Sequence, residues 1–340
     1  MRLMSYQPRR AVLLSLALLA VQVCAASGAA VGSQSTSATG GQEAKPQASA
    51  PAAPSSPVVG LRTLPLVDPS RTIRLAGGRT EPRTLVTYVR YPAIGTAGTT
   101  DVQGAPAARA GGPYPLVVFG HGFAVTPRIY AHLLQRWTRA GYVVAAPVFP
   151  RSNANAPGGP DESDLVNQPA DMSFVITRLL AASATATSPL AGLIDPAHIA
   201  VAGQSDGGVS ALAVAYSRRF RDPRVRAAVI MSGAEMSGVG GFSFFPAGPP
   251  LLATQGTSDT SNEPRFTYAF FNAARHPKYL LRLIGAQHLP PYTREQPQLS
   301  IVERVTLAFL DGYLKRRSAS LRRLVALGTV PGVASLLADP

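Results

Sequence analysis

The sequence predicts an α/β protein, with a mostly parallel, twisted sheet and helices on both faces. Three observations carry this expectation. First, short apolar runs of buried-strand type (Pro115 to Phe119, Tyr142 to Phe149, Ile199 to Ala202, Val225 to Met231, Leu251 to Gln255 and Tyr279 to Ile284) alternate with stretches of helical periodicity. Strands that return through helices pair in parallel and need cover on both faces. Second, Gly203-Gln204-Ser205-Asp206-Gly207 lies where one apolar run gives way to a helical one. Third, Thr72 to Leu75 and Thr84 to Tyr91, separated by Gly77-Gly78, read as a hairpin that adds antiparallel strands at one edge.

Taken in order, residues 1–26 read as an export signal. Arg2, Arg9 and Arg10 precede the apolar run Ala11 to Val23, and small residues follow. The run is too short to span a bilayer comfortably. Arg9-Arg10 faintly resembles a twin-arginine signal. A secreted, periplasmic or cell-surface protein is expected. Cys24 is the single cysteine and the one candidate for a lipid anchor, although Val23 before it is bulky for that processing. Residues 27–57 hold Ser, Ala, Gly, Thr, Gln and Pro with almost no large apolar side chain, so they read as a disordered tether. Residues 58–330 are expected to form the catalytic domain.

Within it, residues 93–113 are loop-like. Pro127 to Ala140 reads as a helix, with proline in its first turn and Gly141 beyond its end. A polar loop spans 150–169. Helices are expected over Ala170 to Ala182, Gly208 to Arg218, Arg265 to Ala274 and Leu299 to Leu314. A basic amphipathic segment, 315–327, ends the fold before Pro331-Gly332. It reads either as a closing helix with a solvated basic face or as a weak membrane-surface contact.

The net charge is +14, and 29 of the 32 cationic residues are arginine. They are scattered apart from the runs at 218–226 and 315–323, and no nucleic-acid motif accompanies them, so no nucleic-acid partner is expected. The chain is expected to be a monomer without metal or organic cofactor.

The chemistry follows from the elbow. A serine that attacks a carbonyl must project from a sharp, strained turn, and Gly203 and Gly207 let the helix pack close behind Ser205. Ser205 needs a base, and the base needs an acid to orient it. Ligands in such sheets sit at the carboxyl ends of the strands. Of five histidines, His288 alone follows a strand after the serine, in Gly285-Ala286-Gln287-His288. Asp259, in Gly256-Thr257-Ser258-Asp259, is the expected acid and Glu235 its rival. The amides of Asp206 and Phe123 are candidates for an oxyanion hole. A carboxylate at Asp206 would repel an oxyanion unless it is turned away or paired, while its charge suits a helix N-terminus.

With His-Gly-Phe, Gly-Gln-Ser-Asp-Gly-Gly, Gly-Thr-Ser-Asp and Ala-Gln-His in that order, residues 70–315 resemble an α/β-hydrolase. They are most similar to bacterial dienelactone-hydrolase-like and cutinase-like esterases. The resemblance implies Ser205 as nucleophile, His288 as base, Asp259 as acid and the amides of Phe123 and Asp206 as oxyanion hole, with Phe123 also lining the cleft. The chain departs from these groups at Gln204, at Asp206, in its serine in place of dienelactone hydrolase's cysteine, and in lacking a disulfide. Only 18 residues, Ser232 to Pro249, occupy the place of a lid, so no cap domain is expected. Their Phe242, Phe244 and Phe245 read either as the walls of an open site or as core. The expected activity is hydrolysis of small-molecule or surface carboxylic esters through an acyl-enzyme. Polyester hydrolysis and ligand binding without chemistry are the alternatives.

Overall fold

The computed structural model describes residues 58–74, 77–96, 98–236, 238–240, 244 and 248–340. The expected signal, tether and Cys24 lie outside the described residues, as do Leu75, Phe242 and Phe245.

The chain runs β1 (Val58–Arg74), β2 (Thr80–Ala93), β3 (Val102–Gln103), β4 (Tyr114–Gly120), α1 (Ala131–Arg139), β5 (Val143–Val148), α2 (Gln168–Ala184), β6 (Ile194–Gln204) and α3 (Asp206–Tyr216). It continues through β7 (Val225–Met231), β8 (Leu251–Gly256), α4 (Pro264–Ala273), β9 (Lys278–Leu283), α5 (Pro290–Thr293), α6 (Gln298–Leu314), α7 (Ser318–Arg322), α8 (Leu324–Gly328) and β10 (Ala334–Asp339). All ten strands form one sheet in the order β10-β9-β8-β7-β6-β4-β5-β2-β1-β3. The run β5-β4-β6-β7-β8-β9 is parallel throughout, and antiparallel β2 and β10 flank it.

The parallel strands are almost wholly buried, as their continuous Val, Ile, Leu and Ala runs require. One apolar layer joins α2, α3 and α4 to the sheet through Met172, Val175, Leu212 and Phe270. The other joins α1 and α6 through Leu133, Trp137, Val302 and Phe309. The indole of Trp137 donates to Thr306 Oγ1 at 2.9 Å and pins those two helices together.

Several expectations change. β1 begins at Val58 and not at Thr72, and a bulge between Asp68 and Thr72 interrupts its pairing with β2. Pro65 lies within it, which a strand near the sheet edge tolerates. Residues 127–130 form a 3-10 turn before α1, and another 3-10 turn at 162–167 interrupts the polar loop. The fold also continues past residue 330. Gly332, at φ +71°, turns the chain back, and β10 pairs antiparallel with β9. In the basic segment, Leu324 is fully buried and Leu321 and Leu327 pack on the α1/α6 layer. Lys315 pairs with Asp311 and lies over the Tyr142 ring.

A buried ion cluster ties the hairpin to α2. Arg83 on β2 donates to both oxygens of Asp171 and both oxygens of Asp164 at 2.7–3.0 Å. Arg71 adds a further contact to Asp171 at 2.8 Å.

Candidate active site

The chain order of the strands creates the site. β4 is followed by β5 on one side, and the chain then returns to place β6 on the other. The carboxyl ends of β4 and β6 therefore diverge into a crevice, the usual ligand position in open α/β sheets. Ser205 follows β6 directly, at φ 57° and ψ −122°, outside the regions that L-residues favour. Two glycines permit this elbow. A Cβ on Gly203 would lie 2.0 Å from Gly207 O, and one on Gly207 would lie 2.0 Å from Gly120 O. Any side chain there would push α3 away from the sheet.

The structure brings Ser205, His288 and Asp259 together. His288 Nε2 is 2.9 Å from Ser205 Oγ, and its Nδ1 is 2.8 Å from Asp259 Oδ2. Asp259 Oδ1 accepts the amides of Ser261 and Asn262 at 3.0 and 2.8 Å, and Oδ2 also accepts Gln255 Nε2 at 3.2 Å. Burial pushes the Asp259 carboxyl up. The hydrogen bond and charge of His288 and the Asn262 amide outweigh it, so the carboxyl sits below its usual range. Asp259 is thus an ionised acceptor that fixes the donor edge of the ring. Glu235, the rival acid, is exposed, and the Nδ1 of His288 is taken by Asp259.

The loops that carry Asp259 and His288 are stitched together. Ser258 N donates to Ala286 O, Thr257 N to Leu283 O, and Gly285 N to Thr257 Oγ1, at 2.8–3.0 Å. A Cβ on Gly256 would meet Ala286 O at 2.5 Å.

The loop after β4 is anchored on both sides of Phe123. Gly122 N donates to Tyr130 Oη at 3.4 Å and Ala124 N to Ser152 O at 2.8 Å. The amide of Phe123 between them has no such bond, and neither does that of Asp206 in the first turn of α3. Both expected oxyanion donors are therefore unspent. A Cβ on Gly122 would lie 2.8 Å from Gln204 Oε1, so this loop approaches Ser205 as closely as the backbone allows.

Three supporting residues carried no role in the sequence reading. His121 is fully buried, with Nδ1 2.7 Å from Gly122 O and Nε2 accepting Phe149 N at 3.0 Å. Burial pulls it down to about 4, against the bond to Gly122, so the ring is neutral with its proton on Nδ1. Tyr130 Oη donates to Gln204 Oε1 at 2.7 Å, and Gln204 Nε2 donates to His288 O at 3.1 Å. The departure at Gln204 is therefore a clasp between Tyr130, which holds the loop after β4, and the loop of His288. Its position directly before the serine was the only sequence signal.

Asp206 is 6% exposed, and its Oδ2 is buried without a hydrogen-bond partner. Burial, reinforced by the charge of Glu162, pushes its carboxyl up to about 7.

Beside His288, Ile129, Leu289, Pro290, Thr293 and Arg294 line a cavity of about 220 Å³. Phe123 and Ile129 are 36% and 39% exposed. A second depression of similar volume lies between Glu162, Leu165, Val166, Met236, Gly238 and Val239. A cavity of about 670 Å³ lies elsewhere, between β1 and residues 151–164. Phe244 packs on Tyr216 at a ring separation of 5.0 Å, on the core rather than in a cleft wall. The described residues between β7 and β8 form no helix or strand.

A family model described as Chlorophyllase matches residues 104–231, which include the loop after β4 and the elbow at Ser205. Among solved structures, a ferulic acid esterase from Streptomyces cinnamoneus is 23% identical, covering 79% of this chain and 93% of its own, with a TM-score of 0.57. No curated protein matches the chain. Neither likeness is to the dienelactone-hydrolase-like or cutinase-like esterases that the motifs resemble. With the strand order and the elbow at Ser205, the structural likeness places the chain in the α/β-hydrolase fold.

Proposed function

We propose that the protein is an exported serine hydrolase that cleaves carboxylic esters through an acyl-enzyme. The observation that carries the reading is the continuous relay from Ser205 Oγ through His288 to Asp259, beside two unspent amides. The family model and the esterase neighbour support ester chemistry.

Ser205 Oγ attacks the ester carbonyl as His288 Nε2 takes its proton. The carbonyl oxygen gains the negative charge, and the amides of Phe123 and Asp206 stabilise it. Asp259 holds the ring with Nδ1–H turned inward and offsets the positive charge that forms on it. The tetrahedral intermediate collapses, and His288 passes its proton to the departing alkoxide, which leaves as the alcohol. Water then enters, gives a proton to His288 and attacks the acyl-enzyme. A second collapse releases the carboxylic acid and restores Ser205. No step calls for a metal or an organic cofactor.

The exposed Phe123 and Ile129 beside a shallow cavity favour a second, narrower reading, in which the substrate is the surface of a bulky or polymeric ester. We place the protein outside the cytoplasm, acting as a monomer without a nucleic-acid partner.

The test is hydrolysis of p-nitrophenyl acetate, butyrate and palmitate by the wild type and its Ser205→Ala variant. Turnover of a short ester by the wild type alone is the expected result. Equal inactivity of two folded samples would overturn the reading in favour of ligand binding without chemistry.

A further inference from the structure

Among the described residues, seven acidic side chains are buried: Asp68, Asp164, Asp171, Asp206, Asp222, Asp259 and Glu303. Six have a cationic or histidine partner: Arg71 for Asp68, Arg83 for Asp164 and Asp171, Arg224 for Asp222, His288 for Asp259 and His132 for Glu303. Asp206 has none, although the chain carries 32 lysines and arginines. A buried, unpaired carboxyl is costly. The charge of Glu162, of the same sign, acts on it and adds to the cost.

The position of Asp206 says what would relieve that cost. It directly follows Ser205, and its own amide faces the place where the acyl oxygen becomes negative. An ionised side chain there works against the oxyanion of a neutral ester. A cation held between the two negative groups reverses the sign, because it pairs with the carboxylate and stabilises the developing charge together. The acyl carbon is bonded to Ser205 Oγ in the intermediate, so such a cation has to be carried on the acyl side, close to the carbonyl.

We propose that Asp206 is a specificity-determining residue that selects esters whose acyl group carries a protonated amine next to the carbonyl, as in aminoacyl esters. The proposal rests on the serine-hydrolase reading above and names the substrate class of that site. The Asp206 carboxylate accepts the ammonium proton, and Glu162 adds negative charge that favours the cation.

Alanine benzyl ester and benzyl isobutyrate test it, since they differ only in an ammonium against a methyl group. At pH 7 the wild type is expected to favour the alanine ester in kcat/KM by on the order of 10–100-fold, the range of a hydrogen bond to a charged group. Asp206→Asn lowers that preference to the ratio of the two esters' rates with hydroxide, which the electron-withdrawing ammonium alone sets. A wild type that prefers the isobutyrate, or a preference that is unchanged in the variant, overturns the proposal while leaving the esterase reading intact. If neither ester is hydrolysed and Ser205→Ala behaves as the wild type does, both readings fall together. Alaninamide and isobutyramide, as inhibitors of wild-type benzyl isobutyrate turnover, give a readout that needs no variant. Stronger inhibition by alaninamide is expected, and equal inhibition overturns the proposal.

Discussion

Two regions of the molecule treat buried acid in opposite ways. Around Arg83, two carboxylates that are 6% and 0% exposed share one guanidinium, and four charge-assisted bonds meet its donors. Burial pushes Asp171 up, and Arg83 and Arg71 pull against it. Beside Ser205, Asp206 is buried to a similar degree, yet nothing pairs with it. The first arrangement joins β2 to α2, and its Arg83 and Asp164 border the cavity between β1 and residues 151–164. The second sits in the turn of a strained elbow. The chain therefore supplies arginine where an acid fastens elements together, and withholds it from the acid that follows Ser205.

Asp259 is a third kind of buried acid, paired with the histidine of the relay, and its removal gives the largest expected effect. Asp259→Asn reverses the hydrogen bond to His288 Nδ1 and lowers kcat on the order of 10⁴-fold. Glu235→Ala, on the rival acid, changes kcat by less than about tenfold. Steady-state kinetics on a p-nitrophenyl ester separates the two, and a larger loss at Glu235 would transfer the role. Next comes the structural cluster. Arg83→Met leaves two carboxylates unpaired and costs about 3–5 kcal/mol in urea unfolding. A loss below about 1 kcal/mol would erase the contrast with Asp206.

Asp206 behaves in the reverse sense. Its folded carboxyl, at about 7, lies above its ordinary value, so the folded state holds the extra proton and wild-type stability falls as pH rises from about 4 to 7. Asp206→Asn is therefore expected to stabilise the protein, by roughly 2 kcal/mol more at pH 8 than at pH 5. Urea midpoints at the two pH values check this, and a pH-independent difference would mean that the acid is compensated. An effect of comparable size and opposite sign belongs to His121. Its folded value of about 4 lies below the ordinary one, so the unfolded chain binds the extra proton and stability falls as pH drops from about 6.5 toward 4. In wild type Asp206 opposes that slope. In Asp206→Asn a loss of roughly 2 kcal/mol from pH 7 to pH 5 should emerge, and adding His121→Gln should flatten it.

The parallel heart of the sheet is legible in the chain because each strand is a mostly apolar run with glycine or proline at its end or within two residues of it. The edges are not legible. Pro65 breaks the pattern of β1, and a strand near the edge tolerates it; Pro331-Gly332 reads as an end but makes the turn into β10. At the site, motif order was enough to name three side chains that the fold brings within hydrogen-bond reach. The clasp of Tyr130 and Gln204 and the lock at His121 were hidden because their partners are backbone atoms or residues far along the chain. Phe244 shows the limit of reading aromatics in a loop, since it packs on Tyr216 on the core.

The stitched loops after β8 and β9 have a mechanical consequence. Asp259 and His288 ride on one braced unit, and Ser205 rides on another, the packed elbow of β6 and α3. The relay is therefore two rigid halves meeting at a seam, crossed by the Ser205–His288 bond and by Gln204 reaching the His288 carbonyl. A displacement of one half against the other would leave the bonds inside each half intact. Reassembly then requires one closing movement in place of three independent searches.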